Sequence, residues 1–150
     1  MTLDLEYAFS IDVQLSPEVH IGRGHRERLT FTPIMGGVVR GPRLSGVVLP
    51  NGGDWGVERE GTSQLEARYL LQAHDGAIID ILNRGYYRAS AEVERRFAAG
   101  EAVDDNEYYF RCAPVFQTDA PAHRWLAEHQ FVGTARVLGS DISIDVYSVT

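Results

Sequence analysis

The chain has a single cysteine, Cys112, among 150 residues, so it can form no internal disulfide, which agrees with a reducing compartment. It has no run of about 18 apolar residues that could cross a bilayer as a helix. The opening MTLDLEYAF also lacks the basic start and apolar stretch of a secretory leader. A cytoplasmic protein with no membrane partner is the expectation. Basic residues are scarce, 14 Lys and Arg against 21 Asp and Glu, giving a net charge of −7. That balance lacks the electrostatic footprint needed to neutralise phosphates, so nucleic acid is not an expected partner. No glycine-rich loop follows a strand and opens a helix, and Gly22-Arg23-Gly24 lacks the rest of any nucleotide fingerprint. His20, His25, His74, His123 and His129 are scattered over loops and turns without metal-ligand spacing, so neither metal nor cofactor is expected.

What remains is an ordinary globular composition, 44% apolar and 23% charged. A chain of this size buries roughly two-thirds of the surface its unfolded form exposes, enough for one core, so residues 1–150 are read as one domain. Residues 3 to 15 put Leu3, Leu5, Tyr7, Phe9, Ile11, Val13 and Leu15 on one parity, with Asp4, Glu6, Ser10, Asp12 and Gln14 on the other. Successive side chains alternate across a sheet, so the pattern specifies one long strand with a buried and a wet face. Residues 17–27 read as an exposed loop. The strand at 28–39 carries Pro33 and Gly36-Gly37, which in a strand mark a bulge or bend.

Leu44 to Leu49 is the next strand, and Pro50-Asn51-Gly52-Gly53 is the strongest turn signal in the chain, with Asp54-Trp55 at its exit. A strand at 55–60 ends at Gly61. Residues 63 to 73 alternate, Leu65, Ala67, Tyr69 and Leu71 against Gln64, Glu66, Arg68 and Gln72, before the hairpin candidate Asp75-Gly76 and the apolar run 77–82. Ser90 to Ala99 is a helix candidate with Ser90 as cap and Gly100 as terminator. Strands follow at 107–117, 130–138 and 141–149, with a second short helix at 119–128 begun by Pro121.

About eight strands, short turns and no βαβ spacing predict an all-β, antiparallel barrel, closed or nearly closed, with two short peripheral helices. Closure removes the exposed edges that strands of this length would present. A two-sheet sandwich is the alternative.

Several segments in order also resemble a known family: Ile34-Met35-Gly36-Gly37, Gly41-Pro42, Pro50 to Trp55, Leu65 to Tyr69, Asp75-Gly76-Ala77, Asn83-Arg84-Gly85, Tyr108 to Arg111 and Phe131-Val132-Gly133. Together they resemble the family catalogued as domain of unknown function 3237, across nearly the whole chain. The resemblance implies a compact β-barrel and no assigned activity. Cys112-Ala113, Glu66 and Gln117 depart from the family's commoner hydroxyl, Asp and Glu residues.

Three candidates for chemistry emerge. Asp54, leaving a glycine-rich turn beside Trp55, can stand at a barrel mouth with its pKa raised by an apolar wall, or can simply close the turn by accepting backbone hydrogen bonds. Glu66 and Arg68 share a strand face, and with Arg84 and Arg111 they can form an anion-anchoring cluster inside the barrel, or cross-strand ion pairs outside it. Trp55, Tyr69, Tyr109 and Trp125 can line a pocket for a flat ligand, or fill the core and interfaces. Only one of Tyr108 and Tyr109 can enter the lumen of a regular strand. The expectation is a cofactor-independent lyase or isomerase, including a cyclase, acting on a small organic acid, ketone or phenolic compound. Asp54, Glu66 and Arg68 are its catalytic residues, and Trp55, Tyr69, Arg84, Tyr109, Arg111 and Trp125 bind substrate. The alternative is a non-catalytic carrier of a small ligand. Self-association as a homo-oligomer is expected, because exposed aromatics on a small barrel need cover. The facing of Glu66 and Arg68 decides whether the expected cluster exists.

Overall fold

The computed structural model describes residues 1–150. Ten strands run β1 (Leu5–Leu15), β2 (Val19–Arg23), β3 (Arg28–Arg40), β4 (Gly46–Val48), β5 (Gly52–Arg59), β6 (Thr62–Ala73), β7 (Ile78–Arg88), β8 (Tyr109–Gln117), β9 (Phe131–Leu138) and β10 (Asp141–Val149). Every pairing is antiparallel, and the circuit β1-β10-β9-β8-β7-β6-β5-β3-β1 closes an eight-stranded barrel. β2 pairs only with β3, and the short β4 continues the β5 stave between β3 and β6. The barrel is therefore the observed alternative, and the two-sheet sandwich is not.

Three details differ from the sequence expectation, each for a local reason. First, the alternation at the N-terminus does not hold throughout β1. Its pairing with β10 slips between Tyr7 and Phe9, so Ala8 is bulged. An extra residue in one strand transfers everything before it to the opposite face. Phe9, Ile11 and Val13 are buried, whereas Leu3 and Leu5 are 75% and 59% exposed. Tyr7 instead meets Tyr147 edge-on at 5.7 Å on the outer face.

Second, Pro50-Asn51-Gly52-Gly53 does not reverse the chain. β4 and β5 both run antiparallel to β3 and to β6, one after the other, so the segment is a bend within one stave. Leu49 donates its backbone N–H to the Leu70 carbonyl on one side, and Asn51 donates to the Ile34 carbonyl on the other. Asn51 adopts φ 79°, which turn-forming residues tolerate without requiring a reversal. Third, residues 19–23 form β2, a strand paired with β3, within the segment expected to be a loop.

Other expectations hold. β3 is irregular where Pro33 and its glycines predict: Gln14 pairs with Gly36 and Leu15 with Ile34, leaving Met35 bulged. Glu60-Gly61, both with positive φ, make the β5–β6 hairpin turn. Helix α1 (Ala91–Ala98) is capped by Ser90, whose Oγ accepts the Val93 N–H at 3.1 Å. The second helix is a 3-10 segment, Pro121–Ala127. No helix is long and apolar enough to cross a membrane.

The two ends of the barrel differ. One is plugged by Phe9, Phe116 and Phe131 in edge-on contacts, with Trp125 and Leu126 of the 3-10 segment packed over them. At the other end, α1 and the β1–β2, β5–β6 and β9–β10 connections surround an opening. Core packing therefore closes one end and leaves the lumen accessible from the other.

Candidate active site

A cavity of about 890 Å³ enters the barrel at the open end. Its size suits a drug-sized or metabolite-sized molecule. Thr30, Thr32, Ser63 and Tyr87 contribute polar groups to its wall, Leu65 and Phe110 apolar ones, and Asp54 lies at its depth. Beyond Asp54 a recess of about 40 Å³ continues between Leu65, Ala67, Tyr69, Asn83 and Cys112, room enough for one small polar group.

Strand parity explains why these residues meet. On β6 the inward side chains are Ser63, Leu65, Ala67, Tyr69 and Leu71. The register places Asp54 opposite Ala67, and Ala67 opposite Asn83, so the three share one rung of the inner wall. With strands about 4.8 Å apart, Asp54 and Asn83 stand about 10 Å apart at their backbones. The small Ala67 between them leaves the recess open. Cys112 lies on the next rung, flanked by Gly85 on β7 and Gly133 on β9, neither of which has a side chain to fill the space.

The electrostatics of this floor are unusual. Asp54 Oδ1 is shut off from solvent with no hydrogen-bond partner. Burial pushes the Asp54 carboxyl up to about 7, with only partial opposition from the nearby Glu66 backbone N–H. Removing an ionised carboxylate from water favours the neutral acid, which is the cause of such a rise. Tyr69 is buried, and burial, with smaller contributions from Cys112 and Asp54, pushes its phenol upward. It therefore remains an O–H donor at any working pH. Its hydroxyl and Asn83 Oδ1 are likewise buried without partners. An unmet buried group of this kind costs about 1–3 kcal/mol. Burial raises the Cys112 thiol to about 11, so it stays protonated and is no activated nucleophile.

Near the mouth, burial raises the Tyr87 phenol, and the hydrogen bond it donates to Glu94 Oε1 of α1 at 2.8 Å raises it further. Arg28 is the basic residue on the cavity wall, and it pairs with Glu18 at 3.5 Å and Glu58 at 3.6 Å.

Of the residues expected to form the site, the barrel brings Asp54 and Tyr69 together inside and sends the others elsewhere. Glu66 and Arg68 lie on the outer parity of β6. Glu66 pairs with its cross-strand neighbour Arg84 at 2.9 Å, and Arg68 holds Asp80 through two hydrogen bonds of 3.0 and 3.3 Å. The expected arginine cluster in the lumen is thus an outer ladder of ion pairs. Arg111 also points outward and donates to the Phe110 carbonyl at 2.9 Å. Trp55 is 50% exposed on the outer face against Phe31, because its neighbour Asp54 takes the inward position. Tyr109 lies outside, with the Arg88 guanidinium 4.3 Å from its ring centre, while Tyr108 takes the buried position. Trp125 belongs to the closed-end plug, with Arg43 stacked 3.7 Å from its ring centre.

Asn83 joins the floor without being among the expected site residues. Its signal was present: it shares parity with Ile79 and Ile81, making it a polar residue on the buried face of an apolar strand. The five histidines form no cluster with other metal-ligating residues. His123 is a buried structural residue, with Nε2 2.8 Å from Asp75 Oδ2.

Residues 3–149 match the family described as "Protein of unknown function (DUF3237)". Among curated proteins, a UPF0311 protein of Rhodopseudomonas palustris strain TIE-1 is 36% identical, covering 99% of this chain and 97% of its own. A UPF0311 protein of Clostridium acetobutylicum is 35% identical, with 99% and 95% covered. Among solved structures, the conserved protein of unknown function RPA1785 from Rhodopseudomonas palustris superposes with a TM-score of 0.93 at 34% identity, covering 100% of this chain and 99% of the other. An enzyme from Penicillium herquei shares the fold at a TM-score of 0.77 and 20% identity, with 100% and 96% covered. The chain therefore belongs to the DUF3237 family of β-barrel proteins of unknown function.

Proposed function

We propose that this protein is a cofactor-independent lyase or isomerase, cyclases included, that moves a proton on a small organic acid, ketone or phenolic compound held in the lumen. Asp54 is its acid/base group. The observation that carries this reading is the position of Asp54: a carboxyl raised to about 7 at the depth of an accessible cavity. A group that exchanges its proton near neutrality can act as acid in one step and base in the next. Tyr69, which keeps its proton, supplies a donor towards oxygen charge that develops beside Asp54.

The outward facing of Arg68, Arg84 and Arg111 removes arginine anchoring from the floor, so hydroxyl and amide groups take that role. All 14 basic side chains other than histidine are arginine, so a lysine Schiff base is not open to this chain. The Penicillium herquei protein supports the reading at the level of fold, as a barrel of this shape that is described as an enzyme.

The test is α-proton exchange of 2-tetralone in D2O, followed by proton NMR. Wild-type protein should exchange the α-protons at least about tenfold faster than buffer, within the usual contribution of one general base. Asp54→Asn should return the rate to that of buffer with the fold intact by circular dichroism. Equal exchange by both proteins would remove Asp54 from the chemistry. Binding of 2-tetralone without exchange by the wild type would favour a carrier, a reading that the apolar lining of the deep recess also supports.

A further inference from the structure

Resting on the lumen as the ligand site, we propose that the recess beyond Asp54 recognises an uncharged hydroxyl head, a phenol or the enol of a ketone, through Tyr69 and Asn83, and turns carboxylates away, which narrows the substrate class to ketones and phenolic compounds and drops the organic acids.

The first support is the complementarity of the unpartnered groups. Tyr69 and Asn83 are 4% and 7% exposed, and the Tyr69 hydroxyl and Asn83 Oδ1 lack partners within the same recess. A tyrosine hydroxyl offers a proton, whereas an amide oxygen only accepts one. One ligand hydroxyl can satisfy both, accepting from Tyr69 and donating to Asn83. An ionised carboxylate has nothing to donate to Asn83, and a bare hydrocarbon satisfies neither. The recess has the volume of a head group rather than a whole ligand, so the body of the molecule extends into the wider cavity along Leu65 and Phe110.

The second support is charge. The carboxylates of Glu18, Glu58 and Glu94 line the approach, and Asp54 stands at the threshold of the recess. Arg28 sits at the mouth, shared between Glu18 and Glu58. An incoming anion therefore meets acidic walls and ends in a recess that offers one phenol, one amide and one thiol but no cation. Desolvating an unpaired carboxylate there is strongly unfavourable. Ala67 and the glycines around Cys112 keep the recess open, so its shape and its polarity serve the same head group.

Isothermal titration calorimetry with 2-naphthol, 2-naphthoate and naphthalene separates the contributions. 2-Naphthol should bind about tenfold more tightly than either of the others, the range expected for hydrogen bonds between uncharged groups. Tyr69→Phe should erase the advantage of 2-naphthol over naphthalene while leaving naphthalene affinity within about twofold. Asn83→Ala provides the same comparison by a second route if Tyr69→Phe does not fold. 2-Naphthoate binding as tightly as 2-naphthol, or an unchanged preference in both variants, would overturn the proposal. These are binding measurements, so they fail or succeed separately from catalysis. If the 2-naphthol preference is found but 2-tetralone exchange ignores Asp54→Asn, the recess stands and the acid/base reading falls.

Discussion

Replacing Asp54 by Asn should stabilise the protein at about pH 8 and change it little at about pH 4. In the folded barrel the Asp54 carboxyl is raised from 3.8 to about 7. Between those values the folded state holds a proton that the unfolded chain releases. Stability therefore falls as pH rises through the window, and the loss is complete above about 7. The displacement corresponds to at most about 4 kcal/mol. The side chain is only partly buried and the cavity admits water, which screens the charge, so about 2 kcal/mol is the working expectation. For a chain of this length that shifts the unfolding midpoint by about 4–8 °C.

The assay is thermal unfolding of both proteins by circular dichroism at several pH values, read as the difference between them. The difference matters because other carboxyls act in the opposite sense. Hydrogen bonds from Arg40 and Arg96 hold Asp12 and Glu107, respectively, below the usual carboxylate range, and both lose their contribution on acidification. Their effects cancel between wild type and variant. A difference that stays flat across the window, or an Asp54→Asn protein less stable at about pH 8, would refute the burial argument.

Ala67→Leu should fill the space between Asp54 and Asn83 and weaken 2-naphthol binding by at least about tenfold, because the recess holds only a single head group; unchanged affinity by calorimetry would place binding elsewhere. Glu66→Ala and Arg84→Ala break an exposed ion pair, so the unfolding midpoint should stay within about 2 °C and 2-tetralone exchange should be unaffected. Lost exchange in either variant would return the outer ladder to the site. With its thiol raised to about 11, Cys112 should react with iodoacetamide at least about tenfold more slowly in the folded protein than in urea at about pH 8, by mass spectrometry. Comparable rates would mean that the thiol is not buried as described. Ser90→Ala should cost about 1 kcal/mol through the lost cap of α1, read from urea unfolding.

The barrel was legible because burial on one face imposes a period of two, and that period is plain in β6, where the inward set Leu65, Ala67, Tyr69 and Leu71 is the one the sequence separates. What the period does not give is which set meets a ligand when both carry functional groups. Glu66 and Arg68 are chemically suited to a site, yet they share parity with Gln64 and Gln72, and water satisfies them as well as a substrate would. The polarity of their own neighbours was the better guide. Asp54 was identifiable from its place after a glycine-rich segment, although that segment proves to be a bend within one stave rather than a turn.

The N-terminal strand misled for a different reason. A bulge leaves no mark in an alternating pattern, and Leu3, Leu5 and Tyr7 look continuous with Phe9 until the pairing with β10 reveals the slip at Ala8. Asn83 was hidden because the apolar run before it reads as filled core. Only the pairing register of β5, β6 and β7 brings it onto the same rung as Asp54, through Ala67.

For acid/base chemistry on the floor of the lumen, Asp54 must change charge near neutrality. A 13C NMR titration of its side-chain carboxyl, assigned by the signal's loss in Asp54→Asn, measures this directly. A midpoint of about 7 is expected, and one near the ordinary value of 3.8 would leave Asp54 a permanent carboxylate at neutral pH and remove it as the acid/base group.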